Sequence, residues 1–131
     1  MRCPYCSFDE TKVIDKRDHE DLSRRRRECL KCNKRFTTYE RAEVNLIVVK
    51  KDGRRERYDR QKLMSGILKA CEKRPISQET VEKVGDDVEA ELRSYGREVS
   101  SRDVGELVMN KLKGIDKVAY IRFASVYREF S

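Results

Sequence analysis

The chain has one histidine, His19, set among charged residues. No Ser-His-Asp set, Cys-His set or catalytic pair of carboxylates is available, which argues against nucleophilic and acid–base catalysis. Neither Gly-x-x-x-x-Gly-Lys-[Ser/Thr] nor Gly-x-Gly-x-x-Gly occurs, which excludes a P-loop and a dinucleotide fold. No apolar run approaches ~18 residues, so no segment reads as a membrane span. Internal repeats and low-complexity segments are absent, and no signal peptide is expected. His19 is expected to be an exposed loop residue.

What is present is charge. Of 131 residues, 42% are charged and 37% hydrophobic, and the formal net charge is +7. That length allows one or two small domains. A basic chain of this size suits a polyanionic partner.

Four of the five cysteines fall in two knuckles, Cys3-Pro4-Tyr5-Cys6 and Cys29-Leu30-Lys31-Cys32, separated by 22 residues. Each knuckle sets two sulfurs on one tight turn, and two knuckles make a tetrahedron suited to Zn²⁺. Four protein ligands leave no open position for water, so the metal is expected to be structural. Disulfides and an iron centre are the alternatives. A metal-type pattern without a secretory signal points away from disulfides and towards a reducing cytoplasm. Cys71 lies in an apolar helical pattern and reads as a small buried hydrophobe.

The loop held by the knuckles is basic. Lys16, Arg17, Arg24, Arg25, Arg26, Arg27, Lys31, Lys34 and Arg35 stand against Asp18, Glu20, Asp21 and Glu28, nine cations to four anions, a net of +5. Four consecutive arginines on a metal-braced scaffold fit phosphates and guanine edges. A solvated charge run is the plain alternative; the rigid scaffold favours nucleic acid.

In chain order, residues 1–44 read as a zinc ribbon. Val13 and Ile14 are expected on one short strand and Arg24 to Glu28 on another, with a polar turn from Asp18 to Ser23. Its core is expected to be Val13, Leu22, Phe36 and the metal. No Gly/Ser/Pro linker follows, so a close join to residues 45–131 is expected. Asn45 to Lys51 reads as a strand, Asp52-Gly53 as a two-residue type I′ turn, and Arg54 to Tyr58 as the returning strand.

Four helices are then expected. Asp59 caps the first, with Leu63, Ile67, Leu68 and Cys71 on one face and Pro75 as its stop. Ser77 caps the second, which buries Val81, Val84, Val88 and Leu92 and ends at Gly96. Ser100 with Asp103 opens the third, with Val104, Leu107, Val108 and Leu112 inward and Gly114 as its close. Asp116 caps the fourth, with Val118, Ile121, Ala124, Ser125 and Tyr127 along one side. The fold class is α+β: a small ribbon, then a mainly helical domain with a β-hairpin.

From Lys50 to Lys62 the hairpin carries seven cations and three anions, a net of +4. Lys62 sits on a first helical turn, where the dipole favours an anion. This stretch is either a phosphate site or an ordinary exposed basic hairpin.

Longer motifs add a resemblance. Met-Arg-Cys-Pro-Tyr-Cys opens the chain, Lys-Val-Ile-Asp-Lys-Arg follows at 12–17, and Arg-Arg-Arg-Arg-Glu-Cys-Leu-Lys-Cys-Asn-Lys-Arg-Phe-Thr-Thr-Tyr-Glu at 24–40. Val-Val-Lys-Lys-Asp-Gly-Arg-Arg-Glu occupies 48–56 and Asp-Lys-Val-Ala-Tyr-Ile-Arg-Phe-Ala-Ser-Val-Tyr-Arg 116–128. With Lys62-Leu63, the whole chain resembles the NrdR family of bacterial repressors of ribonucleotide reductase genes. The resemblance implies a DNA-binding zinc ribbon followed by an ATP-cone, with one Zn²⁺ and with ATP and dATP as regulatory ligands. It implies homo-oligomers whose size depends on nucleotide and which grip paired boxes in double-stranded DNA. By position, Val48, Lys50, Lys51, Glu56, Lys62 and Leu63 match nucleotide-binding residues. Tyr120 and Tyr127 fall in the final motif, which closes over the base or mediates assembly. Arg17, Arg24, Arg25, Arg26, Arg27 and Arg35 match the DNA-contacting part, beside Lys34. Two positions depart from the family: Lys51 stands where arginine is common, and Arg57 where proline is frequent.

Overall fold

The computed structural model describes residues 1–19 and 22–130, with backbone alone for 128–130. They form two compact units, Met1–Glu43 and Val44–Ser131.

The first unit is a three-stranded antiparallel sheet in the order β1-β2-β3, with β1 Thr11–His19, β2 Leu22–Cys29 and β3 Arg35–Arg41. Val13, Ile14 and the Phe36-Thr37-Thr38-Tyr39 run supply residue types that favour strands. The arginines of β2 supply little such preference, and that strand is held by pairing on both edges. β1 and β2 are longer than expected and absorb His19, which is exposed at the end of a strand and not in a loop. Glu20 and Asp21, in the middle of the expected polar turn, lie outside the described residues. Of the expected core, Phe36 is buried, Leu22 is half-buried, and Val13 is 46% exposed. The register shifts between Val13 and Asp15, so β1 carries a bulge there. A bulge leaves one residue unpaired and turns side chains outward.

The second unit holds β4 Ile47–Val49, β5 Arg55–Arg57, β6 Glu98–Ser100, and helices α1 Arg60–Cys71, α2 Gln78–Leu92, α3 Ser101–Lys113 and α4 Lys117–Phe130. The sheet order is β5-β4-β6; β4 pairs antiparallel with β5 and parallel with β6. The third strand adds to the expected hairpin. It is three residues long and has no period of its own to betray it.

The hairpin turn is a correction. Lys50 C=O accepts the Gly53 N–H at 2.9 Å, and Lys50 N–H donates to Arg54 C=O at 2.7 Å. Gly53 has φ +89°, and Asp52 is not in the left-handed region. The loop is thus Lys51-Asp52-Gly53, three residues with glycine at the left-handed position, and not a two-residue type I′ turn. The Asp52 carboxylate accepts the Arg54 N–H, a local bond that competes with the tighter turn.

Helix starts follow the caps read from sequence. Asp59 accepts from Gln61 N–H, Ser77 from Thr80 N–H, and Ser100 from Asp103 N–H. Asp116 Oδ1 accepts the Ala119 N–H at 2.9 Å. The α2 face is as expected, with Val81, Val84, Val88 and Leu92 all buried. Two faces differ. On α1, Leu68 is 41% exposed and Ala70 takes its place inside. On α4, Ala124 is buried as expected, but Ile121 is 50% exposed and Ser125 is exposed, while Ala119 is buried and Tyr120 and Phe123 pack on the core. The inward face of α4 thus keeps the expected Ala124 and takes Ala119, Tyr120 and Phe123 in place of Ile121 and Ser125.

Candidate functional site

The two cysteine knuckles share one backbone design. Cys3 N–H donates to Phe8 C=O at 2.9 Å, and Cys29 N–H to Lys34 C=O at 3.0 Å. Ser7 N–H donates to Cys3 C=O at 3.0 Å, and Asn33 N–H to Cys29 C=O at 3.1 Å. Ser7 and Asn33, each just after the second cysteine of its knuckle, have φ of 66° and 62°. Asparagine tolerates that conformation well; nothing in the sequence flags serine for it.

The four sulfurs of Cys3, Cys6, Cys29 and Cys32 lie within 4.8 Å of one another. Cys3 Sγ is 3.7 Å from Cys32 Sγ, and Cys6 Sγ is 3.5 Å from Cys29 Sγ. A tetrahedron with Zn–S bonds of about 2.3 Å has edges of about 3.8 Å, so the set fits that ion. Backbone N–H groups point at the sulfurs: Tyr5 at Cys3, and Lys31 and Cys32 at Cys29, at 3.3–3.4 Å. Burial pushes Cys29 up, but the N–H groups of Cys32 and Lys31 outweigh it and bring that thiol down to about 6. In Cys3 too, burial raises and backbone N–H groups lower, and the balance is a lowered value. At Cys32 the Lys34 N–H lowers, while burial and the other three thiols raise more, and the group is pushed up to about 11. Four thiols this close do not all ionise without a cation among them; a divalent metal supplies it.

The cations run along the sheet that leads away from this cluster. Arg17 is on β1, Arg24 to Arg27 on β2 and Arg35 on β3. Lys34 belongs to the second knuckle and reaches the Tyr5 ring of the first, 5.1 Å from its centroid, and Lys31 lies 5.9 Å from that of Phe8. These contacts tie the knuckles together from outside the metal.

The second unit holds a cavity of about 750 Å³, lined from β4, β5, α1, α3 and α4. Val48, Lys50, Glu56, Lys62, Leu63 and Tyr127 all line it. Lys51 does not; it is exposed on the hairpin turn. Tyr120 does not either, and packs against the core. Val48 and Glu56 face each other across the β4–β5 pair, so alternation aims both at the cavity. Glu56 Oε2 lies 3.5 Å from Lys62 Nζ and 3.9 Å from Lys50 Nζ, so one carboxylate holds both lysines at the mouth. Beyond the Asp59 cap, the first turn of α1 carries no acid, and its dipole favours an anion there.

The start of α1 is clamped. Arg60 reaches Glu82 at 3.2 Å and Asp86 at 2.9 Å, and it also bonds Glu89, which is buried. Burial lowers the Arg60 pKa, but the carboxylates, Glu89 first, raise it more. Burial and the neighbouring Glu89 carboxylate likewise push Tyr58 up, keeping its phenol neutral. Farther in, Phe123 and Tyr127 stack at 6.3 Å with an angle of 11° between their planes, beside Val104 and Gly105. A Cβ on Gly105 would sit 2.1 Å from the Tyr127 ring, so only glycine lets that ring lie flat on α3. The result is a slot with apolar, aromatic walls and a cationic mouth, which suits a flat heteroaromatic ring carrying phosphates.

Sequence reading missed several lining residues. Lys69 lines the cavity, as does Arg57, visible in the sequence only as one of the hairpin's cations, and the side chains of both make no ion pair among the described residues. Ser101 and Val104 come from a distant segment with no motif of its own, and Phe123 lies in the 116–128 motif without a site role assigned from sequence. Among the described residues, no helix is long and apolar enough to cross a membrane.

Comparison with known proteins assigns both halves. Residues 1–40 match the family model described as transcriptional repressor NrdR-like, N-terminal domain, and residues 46–131 match that of the ATP cone domain. A transcriptional repressor NrdR from Petrotoga mobilis is 58% identical, the alignment covering 99% of this chain and 89% of the relative. Another from Acetivibrio thermocellus is 58% identical with the same coverage, and one from Dehalococcoides mccartyi is 56% identical over 100% of this chain and 76% of its own length. The chain therefore belongs to the NrdR family of transcriptional repressors and is not an enzyme: a ribbon with a four-cysteine metal site, followed by an ATP cone.

Proposed function

We propose that this chain is a nucleotide-responsive repressor. Its ribbon binds paired boxes in double-stranded DNA upstream of ribonucleotide reductase genes. ATP and dATP bind in the cone and control both homo-oligomer size and DNA affinity. One structural Zn²⁺ per chain holds the ribbon, and the protein works in the cytoplasm.

The observation that carries the reading is the cone cavity, with Lys50 and Lys62 gathered at one Glu56 carboxylate beside the start of α1. Phosphates displace Glu56 from the lysines, and the base lies against Tyr127 and Phe123. Lys51, on the turn, adds charge from outside. ATP and dATP differ only in a 2′-hydroxyl. Losing one hydrogen bond to it leaves a buried polar partner unpaired, worth ~1–3 kcal/mol. A difference of that size moves an assembly equilibrium about 5- to 150-fold.

The test is a titration of zinc-loaded protein with a reductase promoter duplex at fixed salt, with ATP, then with ATP plus dATP, and mass photometry on the same samples. The expected result is a change in mass and in DNA affinity between the two conditions. Equal binding and equal mass would remove the cone as the switch. Lys62→Ala is expected to weaken nucleotide binding in calorimetry and leave zinc content unchanged; an unaltered nucleotide affinity would refute its role.

A further inference from the structure

Strand pairing divides the four consecutive arginines. Arg24 stands opposite Tyr39 of β3 and Arg17 of β1, and Arg26 opposite Thr37 and Asp15. Arg25 and Arg27 alternate to the other face, opposite Thr38 and Phe36. Within the run, the two faces use their arginines differently. Arg25 Nη1 donates to Glu40 at 2.9 Å and Arg27 Nε to Thr38 Oγ1 at 3.0 Å, and both residues are half-buried. Arg24 is exposed and makes no hydrogen bond or ion pair from its side chain among the described residues. Arg26 is exposed and spends one donor on Thr37 Oγ1 at 2.8 Å.

The bulge in β1 completes the first face. Without a register shift between Val13 and Asp15, Lys16 would stand beside Arg24; with it, Arg17 does. Arg35 lies on the same face, opposite Glu28, and pairs with it at 3.0 Å, as Arg17 pairs with Asp15 at 3.3 Å; both arginines stay exposed. On its β3 edge, beside Arg24, Tyr39 is 53% exposed, with the Arg41 guanidinium 5.5 Å from its ring centroid.

We infer that the sheet face bearing Arg17, Arg24, Arg26, Arg35 and Tyr39 is laid on the DNA, and that Arg25 and Arg27 serve the ribbon's own fold. This rests on the DNA-binding reading above and narrows it to alternate members of the arginine run. The outward arginines neutralise backbone phosphates. Tyr39 gives a neutral contact between them.

The test uses the full, zinc-loaded chain and the promoter duplex, titrated over a range of salt. Arg24→Gln with Arg26→Gln is expected to lower affinity roughly tenfold or more and to flatten the slope of log K against log salt by about 1.8, at about 0.9 per phosphate contact. Arg25→Gln with Arg27→Gln is expected to keep the wild-type slope and to lower the melting temperature of the ribbon. Because that pair could fail to fold, two exposed neighbours on β1 repeat the comparison. Arg17→Gln flattens the slope by about 0.9, and Lys16→Gln leaves it unchanged. Tyr39→Ala weakens binding without changing the slope. Equal flattening by Arg17→Gln and Lys16→Gln, or by the two arginine pairs with zinc retained, would overturn the face assignment. A wild-type chain that does not bind the duplex at any salt would instead remove the DNA reading itself.

Discussion

Among the described residues, the first unit buries three apolar side chains, Cys3, Cys29 and Phe36, and two of these are metal ligands; the second buries fourteen. The ribbon is organised by charge neutralisation at four sulfurs and the cone by exclusion of water from Ile67, Val88, Leu92, Val108 and Leu112, all 0% exposed. The lesson is that two modules in one chain can be stable for unrelated reasons. A four-thiolate site gathers its stabilisation at one point, so the sheet around it can spend its side chains on solvent and ligand: β1 shows eight of nine residues exposed. The cone cannot do that. Its apolar interior must be continuous, and its cavity is an extension of that interior lined on one side by Val48 and Leu63.

The largest test of this contrast is metal removal. Chelation, or Cys29→Ala, is expected to unfold residues 1–43 and leave the cone's melting transition in place. Structural zinc contributes about 10–16 kcal/mol of apparent folding energy in finger peptides. Loss of both transitions in calorimetry would show that the cone depends on the ribbon. Next is the reverse experiment. Ile67→Ala, at a site fully buried, is expected to cost the cone about 2–5 kcal/mol in denaturant unfolding without altering zinc content.

A third change probes the cavity wall. Gly105→Ala must displace the Tyr127 ring, and overpacking of this kind costs about 1–3 kcal/mol. Nucleotide affinity in calorimetry should fall with it. Gly85→Ala is a milder control, because its new methyl meets the flexible end of Met64. The smallest expected effect is electrostatic. The Ala119 N–H and then the Arg74 guanidinium hold the Asp116 carboxyl below its ordinary value. A lowered carboxylate stabilises above its unfolded pKa of about 3.9, and that stability is lost as pH falls through the folded value. Asp116→Asn should therefore be less stable than wild type at pH 7, with the gap closing below about pH 4 in denaturant titrations.

Much of the site was legible where the signal is local. Cys-x-x-Cys fits within one turn, so spacing alone names the ligands. The caps Asp59, Ser77, Ser100 and Asp116 act on backbone groups two or three residues away, and each bond is present. Lys50, Glu56 and Lys62 lie within thirteen residues and reach one another across a hairpin and the helix it feeds. The turn between them was misread because Asp52-Gly53 fits two loop lengths, and a side-chain bond from Asp52 to Arg54 N–H decides for the longer.

Other features had no local mark. The outward and inward members of Arg24–Arg27 depend on register with β3, and Arg17 rather than Lys16 joins them because of a bulge. Arg57 was visible as one of the hairpin's seven cations and as a departure from the family pattern; its place on the cavity wall comes from the fold.

The sequence by itself determined the metal ligands, the four helices and their starts, and the α2 face of Val81, Val84, Val88 and Leu92, since each rests on contacts within one or two turns of chain. Only the tertiary structure decided that β6 lies parallel to β4, that α4 turns Ala119 and not Ile121 inward, and that Val48, Lys62, Val104 and Tyr127 wall one cavity. These depend on pairing and packing between segments tens of residues apart, where the free energy belongs to a surface shared by both partners and is written in neither alone.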